Sequence, residues 1–85
     1  MNTIQLLYFA RLRDAFGCAG EAVSLPGGSR VADLVALLVA RGGAFADELG
    51  GTRVFRVAVN QEMAHAADAI PAGAEVAIFP PVTGG

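Results

Sequence analysis

The sequence predicts an α+β domain: a mixed sheet of about five strands packed on one main helix, with a short extra helix after the first strand. Three observations predict it. Short runs rich in β-branched and aromatic residues recur at residues 3–9, 21–25, 53–60 and 75–79. Between Arg30 and Arg41, Val31, Leu34, Val35 and Leu38 repeat at i, i+3, i+4, i+7, one apolar stripe along a helix. The order is strand, short helix, strand, long helix, strand, small strand, strand, so a single long helix must cover the sheet.

Thr3 to Phe9 (TIQLLYF) has apolar residues on both alternating sets. That pattern suits a central strand covered on both faces. Ala10 to Gly17 (ARLRDAFG) places Leu12 and Phe16 four residues apart and ends on glycine, as two helical turns with a glycine C-terminal cap would. Arg11 and Arg13 fall on the other side of those turns. They serve either a solvated face or an acidic groove on a partner.

Glu21 to Leu25 (EAVSL) is a short strand with Val23 and Leu25 facing inward, broken by Pro26-Gly27-Gly28. Ser29 is the expected N-cap of the long helix. Asp33 near its start and Arg41 at its end suit the helix dipole, and Gly42-Gly43 terminates it. Ala44 to Gly51 reads as a short helical turn or an irregular connection, with Phe45 and Leu49 able to pack on the core. Arg53 to Asn60 (RVFRVAVN) is a strand, and Asn60-Gln61-Glu62 a turn. Met63 and Ala64 begin a very short return strand. Ala66 to Gly73 is a loop anchored by Ile70, with a turn at Pro71-Ala72-Gly73. Glu75 to Phe79 (EVAIF) is the last strand. The first two strands form an early hairpin. The crossover from the second strand to the third is expected to be right-handed if the two are parallel.

Composition excludes several classes. The 85 residues make one small domain, residues 1–79, with a short tail. Hydrophobic residues make up 54%, but 17 of them are Ala, so the chain holds one core and little more. No apolar run approaches the ~20 residues that a membrane-spanning helix needs. The N-terminus lacks a basic region ahead of an apolar segment, so a cytoplasmic protein is expected. Net charge is −2, and no basic run exists to follow a nucleic-acid backbone. Cys18 is the only cysteine and His65 the only histidine, which gives neither a disulfide nor a metal signature. All six basic residues are Arg. The lack of Lys reads either as protection of an activated terminus from self-conjugation or as Arg-for-Lys bias in a GC-rich genome.

The end of the chain differs in kind: Phe79-Pro80-Pro81-Val82-Thr83-Gly84-Gly85. Pro80 and Pro81 lack N–H donors and fix φ, so the strand cannot continue, and an extended exit is favoured. Gly84 and Gly85 can enter a channel too narrow for a Cβ. Residues 80–85 reach roughly 20 Å when extended. They are expected to be a flexible functional tail whose terminal carboxylate works inside another protein's active site.

Two stretches carry a family resemblance. Tyr8-Phe9-Ala10-Arg11-Leu12-Arg13-Asp14 resembles the aromatic-Phe-Ala-x-hydrophobic-Arg-acid motif of the small subunit of molybdopterin synthase, the MoaD family, in which Glu more often stands where Asp14 does. The stretch from Phe79 to Gly85 resembles that family's C-terminal signature in full. The element order is that of its β-grasp, or ubiquitin-like, fold, so the resemblance covers the whole chain.

The resemblance implies a mechanism and partners. An E1-like adenylating enzyme uses ATP to adenylate the carboxylate of Gly85. A sulfur donor, such as a cysteine desulfurase or a rhodanese, supports its conversion to a thiocarboxylate. The carrier then docks on the large synthase subunit in a heterotetramer. It inserts Pro80, Pro81, Val82, Thr83 and Gly84 into that subunit's active site, where sulfur passes to cyclic pyranopterin monophosphate. Phe9, Arg11, Arg13 and Phe79 are the expected docking residues. No permanently bound cofactor or metal is expected, ATP being used by the activating enzyme alone; neither are nucleic acid or a membrane.

The chemistry has a simple basis. A carboxylate is anionic and resonance-stabilised, so a sulfur nucleophile does not attack it until adenylation supplies a leaving group. The thiocarboxylate that results is itself a nucleophile, comparable to an activated cysteine thiolate. The tail brings no general base, so acid–base groups come from the partners. Other readings are a sulfur carrier for thiamine or a tungsten cofactor, a ubiquitin-like protein modifier, and an interaction domain with an inert tail. Cys18 is expected to be a partly buried bystander and His65 a loop or packing residue.

Overall fold

The computed structural model describes residues 2–81. In chain order they form β1 (Asn2–Tyr8), α1 (Arg11–Phe16), β2 (Gly20–Leu25), α2 (Val31–Val39), α3 (Gly43–Leu49), β3 (Arg56–Val59), β4 (Glu62–Ala64) and β5 (Glu75–Phe79). The five strands make one sheet in the order β2-β1-β5-β3-β4. The first and last strands are the central pair and run parallel, with Leu6 opposite Val76 and Tyr8 opposite Ile78. The remaining neighbours are antiparallel. This is the expected mixed five-strand β-grasp sheet.

One core holds it together. Ile4, Leu6 and Tyr8 of β1 and Val76 and Ile78 of β5 are buried with Val31, Leu34 and Leu38 of α2. Burying each such aliphatic side chain stabilises the fold by about 1.5–3 kcal/mol. The helical stripe read from the sequence is therefore the face that seats α2 on the sheet. Ile70 anchors the long loop as expected, and Ala74 donates to the Pro71 carbonyl at 3.2 Å to close the predicted turn. Gly17 caps α1 in the left-handed region (φ 74°), where glycine carries no Cβ penalty.

Three expectations change and one open reading is resolved. First, β1 is covered on one face only. Thr3 and Gln5 are exposed, Leu7 is half-buried and Phe9 is 46% exposed. Apolar residues at Leu7 and Phe9 look alike in sequence whether a second layer covers them or not.

Second, the N-cap of α2 is Arg30, not Ser29. Ser29 instead donates its hydroxyl to the Pro26 carbonyl at 2.6 Å and closes the preceding turn. Asp33 accepts the Arg30 backbone N–H at 2.9 Å, so the third helical residue satisfies the helix start.

Third, of the two readings open for residues 44–51 the helical one holds: α3 takes Gly43–Leu49, with Leu49 buried and Phe45 packed on the core. Fourth, β3 is shorter than the run RVFRVAVN: Arg53 and Val54 lie outside it, drawn into contacts with α1 and α3. Asn60 and Gln61, both at positive φ (51° and 69°), form the two-residue turn that joins β3 to β4.

Candidate functional site

The site is the end of the sheet from which the chain's last residues depart. β5 runs through the centre of the sheet and ends at Phe79. Pro80 and Pro81 follow, both half-buried against the body. Neither can donate to a ladder, so sheet pairing stops where the predicted tail begins. Val82, Thr83, Gly84 and Gly85 lie outside the described residues.

Side-chain alternation puts Phe79 on the open face, since Val76 and Ile78 take the core face. Phe9 takes the same face after the buried Tyr8, and its N–H donates to the Ile78 carbonyl at 3.3 Å. Arg56 stands opposite Phe79 on β3. Phe9 and Phe79 thus sit at one end of the open face, beside the departing chain. Val54, 52% exposed, adds apolar surface nearby.

Ala10 makes the turn from β1 into α1 with φ 53° and ψ −129°. A residue with a Cβ is strained there, by about 1–3 kcal/mol. The turn leaves Phe9 outward and starts α1 so that Arg11 reaches α3.

Arg11 is not a freely solvated cation. Its Nε donates to Glu48 Oε1 at 3.0 Å and its Nη2 to the Val54 carbonyl at 3.0 Å. Arg53 donates to the other oxygen, Glu48 Oε2, at 2.6 Å. Glu48 is buried, its side chain 8% exposed, while the two arginines remain 40% and 59% exposed. A buried carboxylate needs such partners. Arg11, Arg53, Val54 and Pro81 border one open recess of about 370 Å³. The arrangement binds α1, α3 and the segment before β3 together at the root of the tail. Arg13 is exposed on α1 and joins no ion pair among the described residues.

Sequence reasoning named Phe9, Phe79 and the prolines, and the structure places these at one end of the sheet. It missed Glu48 and Arg53. Nothing local marks Glu48, because its pairing spans 37 residues of chain to Arg11. An acid beside Leu49 in an apolar turn was the one available signal.

A second polar cluster lies under the sheet's other edge. Tyr8, otherwise buried, donates its hydroxyl to Glu21 Oε2 at 2.7 Å, and Arg41 grips both oxygens of that carboxylate at 2.8 and 2.9 Å. Burial and the hydrogen bond to Glu21 push the Tyr8 phenol well above its ordinary value. The Arg41 guanidinium holds Glu21 below the usual carboxylate range. Arg41 also lies 4.8 Å over the Phe45 ring, which stacks on Phe16 at 4.1 Å. This cluster fastens the C-terminal end of α2 to the sheet.

Cys18 is half-buried against the core in the connection after α1, and His65 is exposed beside β4. Among the described residues no group of three His, Cys, Asp or Glu side chains could hold a metal ion. No described helix is long and apolar enough to cross a membrane.

Comparison with known proteins agrees with this geometry. The structure resembles SAMP1 from Haloferax volcanii at TM-score 0.79 and 31% identity, covering 98% of this chain and 99% of that one. It also resembles a protein described as molybdopterin converting factor, subunit 1, from Pyrococcus furiosus at TM-score 0.83 and 27% identity, covering 96% and 100%. A curated relative, the molybdopterin synthase sulfur carrier subunit of Chlamydomonas reinhardtii, is 39% identical over 84 residues, 96% of this chain and 98% of the relative. The ThiS family model matches residues 6–85. With the β-grasp sheet, the Phe-Ala-Arg turn and the Pro-Pro exit in place, the chain belongs to the ThiS family, among the small ubiquitin-like proteins that include molybdopterin synthase sulfur carrier subunits.

Proposed function

We propose that this protein is the sulfur carrier subunit of a molybdopterin synthase. An E1-like enzyme adenylates the carboxylate of Gly85 with ATP, releasing pyrophosphate. The persulfide of a donor protein attacks the acyl-adenylate and displaces AMP, and a thiol then cleaves the acyl disulfide, leaving the thiocarboxylate and a disulfide. The loaded carrier docks on the large synthase subunit through Phe9 and Phe79, with Arg11 and Arg13 at the rim. Residues 80–84 thread the channel, and the sulfur attacks cyclic pyranopterin monophosphate. Two sulfurs complete the dithiolene, so two loaded carriers are consumed per product. The chain is then a cytoplasmic co-substrate in a heterotetramer and has no activity alone.

One observation carries this reading. The signature Phe79-Pro80-Pro81-Val82-Thr83-Gly84-Gly85 continues directly from the central strand β5, in a chain 39% identical to a molybdopterin synthase sulfur carrier subunit. The strand belongs to the rigid middle of the sheet, so it fixes where the tail starts. The two prolines restrict the free arm in advance, lowering the cost of about 1–2 kcal/mol per residue for ordering backbone in a channel.

Intact mass spectrometry tests it. After incubation with an E1-like enzyme, ATP and a sulfur donor, the chain gains about 16 Da, the replacement of OH by SH at the acyl terminus. No gain would remove every sulfur-carrier reading. A ubiquitin-like modifier is the second reading, favoured by the likeness to SAMP1 of Haloferax volcanii, which another similar structure from that organism describes as small archaeal modifier protein 1. Covalent adducts of this chain on lysines of other proteins would select it.

A further inference from the structure

We propose that Arg53, held by Glu48 beside Arg11 and Pro81, is a partner-recognition residue: it receives an acidic side chain at the mouth of the activating enzyme's tail channel. The inference rests on the sulfur-carrier reading and adds a residue and a partner chemistry to it.

The charge balance around Pro81 is the starting point. Glu48 offers one carboxylate to two guanidiniums, one oxygen to each, at 3.0 Å to Arg11 and 2.6 Å to Arg53. Among the described residues neither arginine pairs with another acid. Within this cluster two positive charges face one negative charge. Arg56, opposite Phe79, adds a further exposed cation at the same end of the sheet. This is a local reversal of sign, because the whole chain carries −2.

The two arginines are not equivalent. Arg11 spends its Nε on Glu48 and its Nη2 on the Val54 carbonyl, so its fork is committed internally. Among the described residues Arg53 makes a single hydrogen bond, through Nη1, and its side chain is 59% exposed. Arg53 lines the recess that Pro81 also borders. A guanidinium fixed at one nitrogen is pre-organised to take a carboxylate at the others, which lowers the ordering cost of a new contact. A channel that accepts residues 80–84 brings its rim to the root of the tail, beside the recess that Arg53 and Pro81 line. An acidic group on that rim meets a complementary charge, which fixes the angle of entry and speeds encounter.

The test is reconstituted loading with the full chain, the E1-like enzyme, ATP and the sulfur donor, following pyrophosphate release against carrier concentration. Arg53→Gln keeps the Arg11–Glu48 pair, and its thermal melting is measured alongside. The expected result is a KM raised about five- to tenfold, the size of one lost charge-assisted contact, with kcat within about twofold. Added salt raises the wild-type KM more than that of Arg53→Gln. A folded Arg53→Gln variant with a wild-type KM and the same salt response overturns this inference while leaving the sulfur-carrier reading intact. A wild-type chain that never loads overturns that reading, and the inference with it.

Discussion

The hydroxyl of Tyr8 on β1 donates to Glu21 Oε2 on β2 at 2.7 Å, and Arg41 grips the same carboxylate from beyond the end of α2. One carboxylate thus joins the sheet to the main helix. Its role is structural, and it makes stability depend on pH at both ends of the scale.

At the acid end Glu21 governs. Its pKa in the folded state is lowered, chiefly by Arg41. A lowered folded pKa means that the unfolded chain takes up the proton first. The stabilisation is present above the unfolded value, about 4.3, and is lost as pH falls through the folded value. Glu21→Gln is expected to cost about 1 kcal/mol at neutral pH, or about 4–8 °C in Tm. Melting curves from neutral pH down to pH 3 should show the gap between wild type and Glu21→Gln closing. A gap that stays constant would exclude the linkage.

At the alkaline end Tyr8 governs. Its pKa is raised by burial and by the bond to Glu21, so its contribution is complete below the unfolded value, about 10, and is lost above it. Tyr8 is the only tyrosine, and there is no tryptophan. Phenolate absorbance therefore reports this one group. It should stay flat through pH 10–11 and rise together with loss of structure; a simple titration near 10 in the folded protein would refute the burial.

Ala10 supplies a test of backbone strain beside the docking face. With φ 53° and ψ −129°, replacement by Gly removes a penalty of about 1–3 kcal/mol against a glycine entropy cost of about 0.5–1 kcal/mol. Ala10→Gly should leave Tm unchanged or raise it by several degrees. A marked fall would show that Ala is comfortable in the turn.

Deletion of Gly85 separates chemistry from stability. It should abolish the mass gain on loading and leave Tm within about a degree, since a terminal glycine brings no side chain to bury. Cys18→Ser should load as wild type, because the half-buried thiol sits after α1 and not at the tail root. Loss of loading in Cys18→Ser with normal melting would move the sulfur to the thiol.

Much of the fold was legible because local pattern and final structure agree. Val31, Leu34 and Leu38 share a helix face whatever they pack on, and Pro80-Pro81 ends a ladder in any context. The misreadings share a physical origin. Ser29 is as good an N-cap as any in isolation, yet its hydroxyl was taken by Pro26, three residues back. Arg53 and Val54 have strand-like neighbours, but contacts to Glu48 and Arg11 hold them outside β3.

The sequence by itself determined the element order, the core stripe of α2 and the chemical character of the terminus, because each depends on residue type and spacing along a short stretch. Tertiary structure alone decided which sheet face stays open, that Glu48 is buried between Arg11 and Arg53, and that Pro81 borders the same recess. The Arg11 contacts to Glu48 and Val54 span 37 and 43 residues, and the free energy of a buried charge is set by what surrounds it in space, which no local window contains.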